Sequence, residues 1–454
     1  MTSTPNRPAP QVSSSPFRNV DRATPEQLRK RGWWLLVFTV VFPGLAQLVG
    51  GSRRVGSFAI RVTLFVYLLV AFLAVLGFVN KGWAIWLVTL PFVGTLVSWV
   101  LIGFAFFFLF LAVDALRLSR LAGMYNRDRW ISLGAFVLVA VIGTSSISWA
   151  GRLVGSGTGA IGSIFNQSGF TQPVDGRYNI MLLGSDAARD RFGVRPDSIS
   201  VVSIDAAKGS AVTIQIPRNL QRVPFRSGSP LWSVYPNGWS CGVDCLINAI
   251  YKDTMDNHQS LYPHATKQGS TPGIEATRDA VEGVTGLKIQ SYVLIDMAGF
   301  STLIDALGGI DIVIKQNLPV GGQKDDGSDA KFWLHPSPNP QHLNGYLALW
   351  YGRSRHGTSD YDRMSRQHEI ENAVLKQMNP STVLAHFEDI ASASKSLILT
   401  DVPSGMLSTY LDLAQKARKH GIKTLSLVPH NGFEPDVPNY DKIHAAVTRF
   451  VAKG

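Results

Sequence analysis

Two shortages stand out in this sequence of 454 residues: it has only two cysteines, and its first 152 residues contain only four acidic side chains. Cys241 and Cys245 have no companion thiol and no histidine close in sequence, so they make a poor zinc site. An oxidising compartment would let them close a small loop as a disulfide; the other reading is a pair of inert small hydrophobes. The shortage of acid is regional. Residues 1–152 hold 15 Lys+Arg against 4 Asp+Glu, a net of +11, and the remainder holds 28 of each. The whole positive excess therefore flanks apolar segments, as the positive-inside rule requires, and no nucleic-acid partner is expected. A signal peptide is also missing. Residues 1–32 carry Pro, Ser and Arg with no apolar core and no cleavage site, and read as a disordered cytoplasmic tail.

Long apolar runs are present in the next stretch, residues 33–150. Trp33–Gly51, Ser57–Val79, Trp83 to about Leu116 and Trp130 to about Ala150 are each long enough for a bilayer, which marks an integral membrane region. As one helix, Trp83–Leu116 would be about 50 Å long at ~1.5 Å per residue, against a hydrocarbon layer of ~30 Å. It is then either one tilted or broken crossing, with the chain around Pro43-Gly44 re-entrant, or two short crossings. The total is three or five. Both counts are odd, so everything after the last span is expected outside the cytoplasm. Arg61 and Asp114 fall near helix ends, where snorkelling accounts for them.

Residues 151–175, rich in Gly and Ser, read as a linker. From 176 to 454 short apolar runs alternate with amphipathic stretches. Strands are expected at Tyr178–Leu183, Ser198–Ile204, Ala211–Ile216, Tyr292–Ile295, Ile310–Ile314 and Leu425–Val428. Helices are expected near Glu275–Val284, Ala298–Leu307, Asn344–Tyr351, Asp360–Met378, Ser381–Ser394, Ser404–His420 and Asp441–Ala452. This succession points to an α/β domain, a three-layer αβα sandwich, with Gly322–Pro340 a polar surface excursion.

The densest chemistry lies in Tyr351–Gln367, YGRSRHGTSDYDRMSRQ, which gathers Arg353, Arg355, Arg363 and Arg366 with Asp360 and Asp362. Ser359 is a candidate N-cap. At 3.6 residues per turn, Arg363, Gln367, Ile370, Val374 and Met378 share one stripe, so guanidinium groups look inward near a helix N-terminus and can trap a polyanion. A solvated basic helix is the alternative. Asn179–Asp186, NIMLLGSD, is a strand ending in a glycine turn and a carboxylate, and Asp197 follows across a loop. Two hard oxygen ligands beside a phosphate suit Mg²⁺, although an Asp at a strand end is also an ordinary turn or cap residue. Arg218 ends another strand, where α/β folds commonly place ligands.

The ordered blocks NIMLLGSD, RPDS, IQIPRN, LINAIY, VEGVTGLKIQSYVLIDMAGFSTLIDALGGIDI and LNGYLALWYGRSRHGTSDYDRMSRQ, over roughly residues 176–400, closely resemble the LytR-CpsA-Psr family of membrane-attached cell-wall phosphotransferases. The resemblance implies transfer of a glycopolymer from a polyprenyl-pyrophosphate carrier to peptidoglycan at the outer membrane face, with Mg²⁺ as cofactor. It implies metal-facing carboxylates at Asp186 and Asp197 and pyrophosphate-binding arginines at Arg195, Arg218, Arg353, Arg355 and Arg363. Gln367 matches a polar contact, and Asp360 the acid of the arginine block. Asn219 departs from the family's usual Asp after Pro-Arg, and the multi-crossing region replaces a single anchor helix. Asp360 is then the candidate base, or else the residue that orients Arg355 or Arg363. Two other functions fit the same residues: a lipid pyrophosphatase, and a non-catalytic membrane sensor of lipid-linked phosphate.

Overall fold

The computed structural model describes residues 20–51, 53–79, 91–164, 170–185, 195–321, 328–354, 356–357, 359–377 and 398–454. The expected helix Ser381–Ser394 lies outside these residues. The chain forms two compact units, Met1–Ser156 and Gly157–Gly454, and the boundary falls within the stretch read as a linker.

In the first unit, α1 (Pro25–Val41) begins inside the expected disordered tail. Thr24 and Gln27 form a capping box and Pro25 stands at the first helical position, a start signal that the basic composition of the tail had masked. The run Trp33–Gly51 is not one span. It breaks at Phe42-Pro43-Gly44 and returns as α2 (Leu45–Gly50), because Gly44 adopts φ 107° and a Cβ there would lie 2.8 Å from the Ala59 Cβ. Then come α3 (Arg53–Val79), α4 (Pro91–Leu118) and α5 (Asn126–Ile164), the last continuing past residue 151 into the Gly/Ser-rich stretch. The Trp83–Leu116 run is helical from Pro91 onward, and what precedes Pro91 lies outside the described residues. Three helices are long and apolar enough to cross a membrane, over Arg53–Leu76, Phe92–Gly123 and Asn126–Gly155. Arg31, 2% exposed, donates from Nε to the Leu118 carbonyl (3.0 Å) and from Nη2 to the Gly50 carbonyl (2.9 Å). The start of α1 and the ends of α2 and α4 therefore meet at one end of the bundle. Gln47 Nε2 donates to the Leu111 carbonyl of α4 at 2.8 Å.

In the second unit, six strands make the central sheet: β1 (Arg177–Ser185), β2 (Pro196–Asp205), β3 (Ala211–Ile216), β4 (Ser291–Asp296), β9 (Ile398–Thr400) and β10 (Ile422–Ser426). Their order is β10-β3-β2-β1-β4-β9. β2 is antiparallel to β1 and β3, β4 is parallel to β1, β10 parallel to β3, and β9 antiparallel to β4. β10 begins three residues before its expected start, since Lys423 and Thr424 interrupt the apolar pattern on what is an edge strand, a common place for lysine. Around the sheet lie α6 (Ile250–Asn257), α7 (Pro272–Thr285), α8 (Met297–Ala306), α9 (Gly345–Arg353), α10 (Asp360–Gln377), α11 (Leu407–His420) and α12 (Tyr440–Lys453).

Side-chain alternation along β1 sends Met181 and Leu183 into a cluster with Ile274 and Val284 of α7 and Val447 of α12, while Tyr178 on the other face packs with Met406, just before α11, and Leu413 of α11. Each such buried side chain contributes about 1.5–3 kcal/mol. A third cluster joins α8, α9 and α10 to two short hairpin-like pairs, β5 (Ile310–Ile312) with β8 (Gln341–Leu343) and β6 (Leu318–Val320) with β7 (Phe332–Leu334). Gly322–Pro340 is thus not only a polar excursion, because it carries β7, whose Leu334 is buried. Cys241 and Cys245 are joined by a disulfide, with Cα atoms 5.2 Å apart, in the segment between β3 and α6.

Candidate functional site

The register of the sheet assembles the site. β1 ends at Ser185 opposite Pro196, and β2 pairs Ile199 with Ile216, so Asp197 and Arg218, each two residues beyond the latter pair, face one another at the same sheet edge. Arg218 Nη1 is ion-paired with Asp197 Oδ1, and its Nε donates to Asp360 Oδ2 at 3.1 Å. Asp360 begins α10, 142 residues away in sequence, and its Oδ1 lies 3.0 Å from Arg363 Nη2. The result is an alternating file, Asp197, Arg218, Asp360, Arg363, in which each inner charge touches two of opposite sign.

Burial works against the Arg218 charge, yet Asp197 and Asp360 outweigh it and hold its pKa above the ordinary guanidinium value. The Asp197, Arg218 and Asp360 side chains are 21%, 25% and 26% exposed, whereas that of Arg363 is 3% exposed. The file therefore runs from a wet rim inward.

The helix start is built as the sequence indicates. Ser359 Oγ accepts from the Asp362 N–H, while the Asp362 carboxylate accepts from the Ser359 N–H and hydroxyl, and those last two bonds hold the Asp362 carboxyl below its usual range. Inward-facing Arg363 and Ile370 are buried, and Gln367 Nε2 points to the Gly352 carbonyl at 3.4 Å. Met378 lies outside the described residues. Arg366 is a structural arginine that residue type alone could not separate from its neighbours. It is 5% exposed, with Nε on the Tyr351 carbonyl (2.9 Å) and Nη2 on the Ser354 carbonyl, pinning the end of α9 to α10.

Of the other expected site residues, Arg353 ends α9 with its guanidinium 5.3 Å from the Trp350 ring centroid, and Arg195 is exposed two residues before Asp197. Asp186 and Arg355 lie outside the described residues. Asn219, beside Arg218, has a buried Oδ1 with no hydrogen-bond partner among the described residues. Among those residues, no group of three or more His, Cys, Asp or Glu could hold a metal. The donor chemistry at Asp197 still fits a hard divalent ion: one carboxylate oxygen engages Arg218, and the group is partly open to solvent near the end of β1.

Glu371, one turn beyond Gln367 and beside the Arg363–Met378 stripe, was not among the expected residues. It faces Ser200 of β2, and Glu371 Oε2 and Ser200 Oγ are both buried. Burial pushes its carboxyl up to about 7, with the Ser200 hydroxyl pulling weakly the other way. Nearby, the Thr424 hydroxyl of β10 meets His368 Nε2 at 2.7 Å, so α10 is tied to the sheet through polar contacts.

Guanidinium and carboxylate groups thus alternate at the strand ends of a mixed sheet, beside a capped helix start, in an α/β domain. The LytR_cpsA_psr family model matches residues 161–448, and the chain belongs to that family. Among curated relatives it is 26% identical over 281 residues to the polyisoprenyl-teichoic acid–peptidoglycan teichoic acid transferase TagV of Bacillus subtilis, covering 59% of this chain and 62% of that one. It is 30% identical to biofilm regulatory protein A of Streptococcus mutans over 231 residues, half of each chain. The match spans about three fifths of the length of the first of these relatives. The crystal structure of B. subtilis TagV aligns at 25% identity with a TM-score of 0.43, covering 62% of this chain and 98% of that one.

Proposed function

We propose that the chain is a phosphotransferase that moves a glycopolymer from a polyprenyl-pyrophosphate carrier onto peptidoglycan. In this reading the second unit is a three-layer αβα domain held outside the cytoplasm by a multi-pass membrane region. The observation that carries it is the file Asp197–Arg218–Asp360–Arg363 at one sheet edge, in a chain whose relative TagV is named a teichoic acid–peptidoglycan transferase. Phosphoryl transfer asks a protein mainly for positioning and dispersal of charge, and fixed guanidiniums provide both.

The acceptor hydroxyl oxygen attacks the phosphorus that bears the glycan, the bond to the bridging oxygen breaks, and polyprenyl phosphate departs with that electron pair, taking up the proton the acceptor hydroxyl loses. Arg218, with Arg195, Arg353 and Arg355 from the adjoining segments, binds the pyrophosphate oxygens, while Gln367 contacts the same substrate. Asp360 is engaged by two guanidiniums, which favours holding Arg218 and Arg363 over taking the acceptor proton. Asp197, together with Asp186, would hold Mg²⁺, which when bound offsets pyrophosphate charge.

The test incubates the purified full chain with a synthetic lipid-linked glycan, peptidoglycan and Mg²⁺, or with chelator in its place. Glycan covalently on the wall, lost with chelator, is the expected result. Release of glycan phosphate to water alone would make the chain a pyrophosphatase. Binding of the carrier without turnover would make it a sensor.

A further inference from the structure

The four acids of residues 1–152 are all engaged: Asp21 with Arg120, Glu26 with Lys30, Asp114 with Arg117 and Asp128 with Arg29. Arg53, Arg54 and Arg61, in the first turns of α3, have neither an ion-pair nor a hydrogen-bond partner among the described residues. They line, with Ser57 and Phe58, a cavity of about 370 Å³. Their counter-charge has to come from outside this unit.

The helix is sided. Buried Ala59, Thr63 and Val66, with Gly56 between the same turns, mark the face packed on the α1–α2 hairpin; Thr63 Oγ1 donates to the Pro43 carbonyl at 2.8 Å. A Cβ at Gly56 would meet the Leu48 nitrogen at 2.4 Å. At 100° per residue Arg54, Phe58, Arg61, Phe65, Leu68 and Phe72 occupy the opposite face. There Phe58, Phe65, Leu68 and Phe72 are 59%, 60%, 61% and 57% exposed. The outward stripe thus begins with guanidiniums spread over about 10 Å of axis and continues as unbroken hydrocarbon. That is the order of parts in a phospholipid, and an arginine inside a span is costly until it is paired.

We propose that this face binds an anionic phospholipid, with its headgroup phosphate on Arg53, Arg54 and Arg61 and its fatty chains along Phe65, Leu68 and Phe72. The inference rests on the reading that α3 crosses the membrane. A zwitterionic headgroup fits less well, because its ammonium would return positive charge to a site that has no acid.

The full chain would be reconstituted in nanodiscs of phosphatidylcholine and phosphatidylglycerol in equal amounts, and the lipids it retains counted by native mass spectrometry. Wild type is expected to hold phosphatidylglycerol in excess, and Arg53→Gln/Arg54→Gln/Arg61→Gln to lose it, by about fivefold per arginine. Arg117→Gln, which removes an acid-paired arginine, should keep the excess. Arg54→Gln and Arg61→Gln alone should each lose part of it if the triple variant does not fold. No excess in wild type, or an equal excess in every variant, overturns the proposal while leaving insertion intact. Displacement of the retained lipid by inorganic phosphate overturns it in favour of a free-anion site. Release of the chain from membranes by alkaline carbonate overturns the membrane reading and this proposal together.

Discussion

At the scale of single residues, the site depends on two charges each held by a pair of opposite ones. Arg218 meets Asp197 and Asp360 with different nitrogens, which a lysine ammonium on its flexible stem cannot reproduce. Arg218→Lys is expected to lower transfer by roughly 10–100-fold, the loss of one charge-assisted bond of ~1.5–3 kcal/mol, with the melting temperature nearly unchanged. A wild-type rate in the purified assay would remove Arg218 from the site. Arg363 is different. Its burial means that Arg363→Ala both weakens transfer and destabilises the fold, so melting has to be measured beside activity.

Glu371 gives a pH prediction with a definite sign. Its folded pKa of about 7 stands above the ordinary 4.5, so between those values the native state keeps a proton that the unfolded chain has released. Stability therefore falls as pH rises through that window and levels off above it. At ~1.4 kcal/mol for each tenfold in proton affinity, the full loss is at most about 3 kcal/mol. Glu371→Gln should flatten the slope and melt higher than wild type near pH 8, with no gain near pH 4. Parallel melting curves across pH for the two proteins would show that Glu371 ionises normally.

At the scale of elements, the joint between α9 and α10 decides whether the arginine block keeps its shape. Arg366 satisfies the Tyr351 and Ser354 carbonyls at the end of α9, and removing it strands both. Arg366→Ala is expected to cost about 2–6 kcal/mol, at ~1–3 kcal/mol per buried group left unpaired, and to weaken substrate binding through the shape of the joint. Calorimetry of the purified chain checks the first part; an unshifted melt would mean that the loop holds itself. This joint also marks the limit of what the sequence discloses. α10 was legible because its cap, acidic first turn and 3.6-residue stripe agree, and β1 to β3 because their apolar runs are continuous and bounded by turns. The meeting of Asp197 with Arg218 depends on register, and that of Arg218 with Asp360 on the packing of segments 142 residues apart; neither leaves a local pattern. Three-residue strands such as β6 to β8 are too short for alternation to register. Arg366 and Arg363 share residue type and neighbourhood, and only burial with their partners separates the clamp from the site.

At the scale of the molecule, the decisive feature is that Trp33–Gly51 turns back on itself. Hydropathy is blind to that reversal, since a hairpin and a span have the same composition. The reversal is fixed by Gly44 beneath Ala59, and its two ends are tied to α4 through Arg31, whose bonds to the Gly50 and Leu118 carbonyls require the start of α1 and the ends of α2 and α4 to lie on one side. On the proposed multi-pass reading, with α3, α4 and α5 as the crossings, residues near Val55 and Tyr125 are expected with the N-terminal arginines in the cytoplasm, and the residues that follow α5 outside. If Trp33–Gly51 crossed instead, the sidedness of Val55 would invert. The two native cysteines are joined to each other, so single introduced cysteines report cleanly. In intact cells a membrane-impermeant maleimide is expected to label Ser260→Cys, an exposed position of the second unit, and to leave Val55→Cys and Tyr125→Cys unlabelled until the membrane is opened. Labelling of Val55→Cys from outside would mean that the hairpin opens into a span, and would place the arginines of α3 on the other leaflet.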